Sequence, residues 1–128
     1  MNYYFNKTVK GNFEDIIDKV SKELENEGFG ILTDIDLKAT FKKKLDVDFK
    51  NYRILGACNA PYAHKALKAE DKVGTMLPCN VIVQEISKGE IEVAAVNPLA
   101  SMQAIDNPKL EGIAREIKEK LKKVISNI

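Results

Sequence analysis

Cys58 and Cys79, each followed by an asparagine, and the single histidine, His64, are the side chains of this chain whose chemistry goes beyond charge and packing. A thiolate is a nucleophile and a soft metal ligand, an imidazole takes up protons or binds metal, and a carboxamide holds a polar ligand by hydrogen bonds. Twenty residues separate the two cysteines, and His64 lies among them. A reactive or ligand-binding site, if the chain has one, is expected in this segment.

Two functional versions of such a site follow. In one, Cys58 is the nucleophile and His64 its base, with the N–H groups of a helix start stabilising negative charge. Asn59, Cys79 and Asn80 then line a small pocket for an anion or a thiol-reactive ligand. In the other, Cys58, His64 and Cys79 hold a metal, three ligands being enough for an open zinc site and short of a closed one. The chain has no Cys-x-x-Cys, and no acid that would orient His64 can be identified. The plain alternative is that both cysteines pack as small hydrophobes, while Asn59 and Asn80 cap a helix and tie down a loop. The chain is then a non-catalytic homodimeric module whose dimer surface or lysine-rich helix docks a protein partner.

The elements that would position these residues are legible from periodicity. Tyr3 to Val9 alternates as a strand, with Tyr3, Phe5 and Val9 on one side. Asn12 suits an N-cap, and Phe13, Ile16, Ile17, Val20 and Leu24 recur at helical spacing until Gly28. Phe29 to Thr33 reads as a strand, and Asp36 caps a second helix over Leu37 to Leu45. Tyr52 to Cys58 reads as a buried strand, and Pro61 opens a short helix from Tyr62 to Ala69. Cys79 to Ile86 and Glu90 to Val96 form a hairpin about Ser87-Lys88-Gly89, and Pro98 to Ile105 a short turn of helix. Asn107-Pro108 opens a last helix whose stripe runs from Leu110 to Ile125.

Strand, long helix, four strands and long helix, with short helices inserted, predict an α+β fold. Its economical packing is two layers: a curved, mainly antiparallel sheet with the two long helices on one face. In such a meander Cys58 closes the third strand and Cys79 opens the fourth, so pairing makes them neighbours. Cys58 shares a face with Ile54 and Gly56, and Cys79 with Val81 and Val83. Gly56, lacking a side chain, is expected to leave room beside Cys58 for a ligand or another backbone.

The 128 residues fit a single domain, 45% hydrophobic and 30% charged. A net charge of +1 exerts no global pull on nucleic acid or anionic membrane. Lys42-Lys43-Lys44 reads as a solvated helix face, and no aromatic-basic interleaving argues for nucleic-acid binding. No apolar run reaches the roughly 20 residues of a membrane helix, and the start lacks a secretory signal, so a cytoplasmic location is expected. Asp34 and Asp36 are candidates for magnesium, although Asp36 is accounted for as a cap and Asp34 as a solvated residue. Tyr3, Tyr4 and Phe5 belong to the core or to a subunit interface.

Several separated stretches carry a family resemblance. They are Gly28-Phe29-Gly30-Ile31-Leu32-Thr33-Asp34-Ile35-Asp36 with Lys38-Ala39-Thr40, Tyr52 to Asn59, Ala63-His64-Lys65-Ala66-Leu67, and Leu77-Pro78-Cys79-Asn80-Val81. In order and spacing they resemble the prokaryotic Domain of Unknown Function family 302. The resemblance implies a compact fold related to the TATA-binding-protein half-domain, and a homodimer. Ala60 departs from the proline expected there, which loosens the start of the helix at Pro61. The family implies no established activity, so fold follows from the resemblance and function does not.

Overall fold

A computed structural model of the chain describes residues 2–128. The order is β1 (Tyr4–Lys10), α1 (Phe13–Asn26), β2 (Gly30–Asp36), α2 (Leu37–Leu45), β3 (Tyr52–Cys58) and α3 (Ala60–Ala69). A 3₁₀ turn (Asp71–Met76) precedes β4 (Cys79–Ser87), β5 (Glu90–Val96), α4 (Pro98–Ser101) and α5 (Pro108–Ser126). The five strands form one antiparallel sheet in the order β1-β5-β4-β3-β2. This is the α+β architecture expected from the periodicity.

Local chemistry sets the helix ends. Asn12 Oδ1 accepts the Asp15 N–H at 3.2 Å, and Asp36 Oδ1 accepts the Ala39 N–H at 3.0 Å, each satisfying a donor that the first turn leaves free. Gly28, at φ 88°, reverses the chain after α1, and the Phe29 N–H returns to Leu24 O at 2.9 Å. Asn107 caps α5, with Pro108 in its first turn.

Phe13, Ile16, Ile17, Val20 and Leu24 of α1 meet Ile117, Leu121, Val124 and Ile125 of α5 in one core. The sheet contributes Leu55, Ala57, Cys79, Val81, Val83, Ile91, Val93 and Ala95, the alternate residues of three central strands. Both long helices therefore cover the same face. A smaller cluster, including Ala66, Val73, Met102, Leu110 and Ala114, packs α3 and α4 beside the first turns of α5.

The differences from expectation are local. β2 runs to Asp36 rather than ending at Thr33, because Ile35 and Asp36 continue the ladder with Ile54 and Arg53 past a bulge. Helix α3 begins at Ala60, two residues before Tyr62, since Pro61 is well suited to a first turn. Tyr3 precedes β1, and it and Tyr4 are exposed rather than in the core. Asp34 is not merely solvated: both its oxygens take hydrogen bonds from Arg53, from Nε and Nη2, each at 2.9 Å. Arg53 Nη1 also reaches Glu14 at 3.2 Å, linking β2 and β3 to the start of α1.

Candidate functional site

The β3–β4 ladder pairs Ala57 with Cys79 and Gly56 with Asn80. Cys79, 5% exposed, lies in the main core with Val81 and Val83. Cys58 is one residue out of step, shares the alternate face with Gly56 and Ile54, and pairs with Gly30 of β2. Strand pairing thus makes the cysteines neighbours, as expected, but their positions alternate between the two faces. Both still border one small cavity at the strand ends, together with Phe29, Ala63, Leu77 and Met102. Its volume of about 20 Å³ is room for about one water molecule.

Burial, and then the nearby Cys58, push the Cys79 thiol up to about 11. A thiol held protonated at neutral pH is neither a ready nucleophile nor a ready metal ligand. His64 is exposed on α3, whereas Ala63 and Ala66 are the α3 residues that border the cavity. Among the described residues, no three His, Cys, Asp or Glu side chains gather so as to hold a metal ion. The Cys58, His64 and Cys79 set is therefore not brought together.

Asn59 occupies the N-cap position of α3 without capping it. Its Nδ2 instead donates to Glu27 O at 3.1 Å, at the far end of α1, and the side chain is almost wholly buried. It joins the end of one helix to the start of another. The expected space over Gly56 is filled: a β-carbon there would overlap the Thr33 hydroxyl and stand 2.9 Å from Pro78 Cγ. Glycine at this position admits protein atoms, not a ligand. Asp34 is engaged by Arg53 and Asp36 by its helix, so neither carboxylate is a free magnesium ligand. Lys42, the first of the lysine run, pairs with Asp46 at 3.0 Å.

Asn80 is the one candidate that belongs to a larger concavity. It projects from the open face of the sheet, opposite the long helices, into a trough of about 400 Å³. Ile82 and Ala94, paired across β4 and β5, form the floor. Tyr3 and Tyr4 stand at one wall with their rings 4.8 Å apart and nearly edge-on, and Tyr52 stands at another. Tyr52 also closes an aromatic run with Phe49 and Phe41, at 6.3 and 5.2 Å, which ties α2 to β3.

Glu92 completes the trough. Its Oε1 accepts from Gln84 Nε2 at 2.7 Å and its Oε2 from Asn6 Nδ2 at 2.9 Å, so two neutral amides hold the carboxylate in place. Burial, then the charge of Glu92 and the nearby Tyr3, raise the Tyr52 hydroxyl above its ordinary pKa. Tyr52, Ile82, Glu92 and Ala94 carry no chemistry that distinguishes them in the sequence. The signal for the trough in the sequence is alternation: with both long helices on one face, Ile54, Ile82 and Ala94 are apolar residues on the other.

The comparisons with known proteins agree with the fold. Residues 5–128 match the family model described as Domain of unknown function DUF302. The chain belongs to that family. Among solved structures, it is similar to the crystal structure of an uncharacterized conserved DUF302 protein from Bacillus stearothermophilus. That likeness has a TM-score of 0.90 at 24% identity and covers 98% of each chain, which is a likeness of fold. No curated protein matches the chain. Among the described residues, no helix is long and apolar enough to cross a membrane. Within this DUF302 fold, the cysteines sit at strand ends and the trough lies across the middle of the open face.

Proposed function

We propose that this DUF302 domain is a non-catalytic binding module whose working surface is the open face of its sheet. The observation that carries the reading is the trough with tyrosine walls over the Ile82–Ala94 floor. Aromatic walls, an apolar floor and a few fixed polar groups are the usual make-up of a small-molecule site, and about 400 Å³ is within the usual range. The cysteines are structural in this reading. An anion, metal or thiol-reactive ligand at Cys58, Asn59, His64, Cys79 and Asn80 is less well supported, because the cavity there is water-sized and His64 does not border it. Two free cysteines fit a reducing compartment such as the cytoplasm.

Pairing of two copies is a second reading, favoured by the Ile35–Ile54–Ile82–Ala94 row, which runs across the open face from β2 to β5. A homodimer joined there would bury the row and cover the trough.

Amide spectra of ¹⁵N-labelled protein, recorded against a library of small aromatic and alkyl compounds, test the choice. Shifts gathered at Tyr52, Ile82, Glu92 and Ala94 are expected. Shifts gathered at Cys58 to Ala63 would move the site to the cysteines. A two-chain mass in light scattering, reduced to one chain by Ile82→Lys, would assign the face to a homodimer.

A further inference from the structure

Glu92 is a half-buried carboxylate held by two neutral amides. Among the described residues, no lysine or arginine lies within ion-pair distance of it. Beside it, Gln84 Oε1 is buried and accepts no hydrogen bond. A carboxylate without a counter-charge and a carbonyl dipole without a donor both make the local potential negative, and partial burial weakens screening by water. The walls add to it. Tyr3, Tyr4 and Tyr52 line the trough that holds this carboxylate, and aromatic rings attract cations through their quadrupole.

Charge complementarity therefore narrows the occupant. An anion would meet Glu92 directly, and a neutral apolar molecule would leave its carboxylate partly desolvated and unpaired. A metal ion would find a single carboxylate and no second acidic, histidine or cysteine ligand in the trough. A cation with an apolar skin satisfies both the aromatic walls and the carboxylate. We propose that the trough binds a small organic cation through an alkylated ammonium group, its methyl or methylene groups against Tyr4 and Tyr52 and its charge toward Glu92.

This inference rests on the reading of the open face as a small-molecule site and adds the ligand class. The test is a pair of titrations of ¹⁵N-labelled protein, one with choline and one with 3,3-dimethylbutan-1-ol, its neutral carbon isostere. Choline is expected to give saturable shifts at Tyr4, Tyr52, Ile82 and Glu92 and to bind about tenfold more tightly than the alcohol. Added salt should weaken choline and leave the alcohol unchanged. Glu92→Gln should bring the two affinities together, while Tyr52→Leu should weaken choline.

If the alcohol binds as tightly as choline to the unaltered protein, the cation assignment is overturned and the trough remains a small-molecule site. If neither compound shifts the trough amides, the cation assignment is again overturned, and the compound library decides the wider reading separately. The first comparison uses the unaltered protein, so it does not depend on whether either variant folds.

Discussion

Cys79 stands across the β3–β4 ladder from Ala57, one residue out of register with Cys58. That single step separates a core thiol, 5% exposed, from a half-buried one at the strand end. The two should therefore differ in reactivity by more than local sequence suggests.

Alkylation at pH 8, resolved by mass spectrometry, is expected to label Cys58 well before Cys79. With its pKa near 11, Cys79 has only about one molecule in a thousand ionised at that pH. His64→Ala should leave the Cys58 rate unchanged and alter stability by less than about 0.5 kcal/mol, because the residue is exposed. A large fall in the Cys58 rate in that variant would revive a thiol–imidazole pair.

The same thiol makes stability depend on alkaline pH. An unfolded cysteine releases its proton near pH 9.0, whereas folded Cys79 keeps it to about 11. The native state binds more protons between those values, so stability falls as pH rises through the window, by roughly 2–3 kcal/mol in all. Urea denaturation of the unaltered chain and of Cys79→Ala, from pH 8 to pH 11, should show a steeper decline for the unaltered chain. Parallel curves would mean that Cys79 titrates normally.

Gly56→Ala is expected to destabilise the fold by about 1–3 kcal/mol, since the new methyl overlaps the Thr33 hydroxyl and crowds the Pro78 ring. Combining it with Thr33→Ala removes one of those two contacts and should recover part of the loss. A double-mutant cycle by thermal denaturation reads the coupling. Simple additivity would show that Thr33 moves aside freely.

Asn59→Ala should cost about 1–3 kcal/mol. It removes a nearly buried amide and leaves Glu27 O, at the end of α1, without that donor. Hydrogen exchange should then rise at the α1–β2 junction, around residues 27–30. Loss of stability without a change in small-molecule binding at the trough would confirm that Asn59 is structural.

Arg53→Lys keeps the charge but loses the two-pronged contact with Asp34 and the third contact with Glu14. A loss of roughly 1 kcal/mol is expected in urea denaturation, more than for a typical exposed ion pair, because only 19% of the Arg53 side chain is exposed. A loss no greater than that of Lys42→Ala, on the exposed end of α2, would count against a special role.

The amino-acid sequence by itself determined the elements and their layering. Apolar spacing in Phe13–Leu24 and Leu110–Ile125 specifies two amphipathic helices, and Asn12, Asp36 and Asn107 cap helices because capping is a local hydrogen-bond problem. The order of the elements along the chain followed from the same local signals, and the family from the resemblance of several separated stretches. The pairing of the Cys58 and Cys79 strands followed from connectivity, whereas the place of β1 beside β5 was decided only by the tertiary structure. What surrounds each chemically capable side chain was decided only in three dimensions. Neither the Thr33 hydroxyl over Gly56 nor the reach of Asn59 to Glu27 leaves a trace in nearby residues, because each contact spans distant parts of the chain. Ala63 and Ala66, not His64, border the cavity by the rotation of a three-turn helix on its neighbours. The trough is the clearest case: Tyr4, Tyr52, Ile82 and Glu92 come from four strands, and only the antiparallel register brings them to one place.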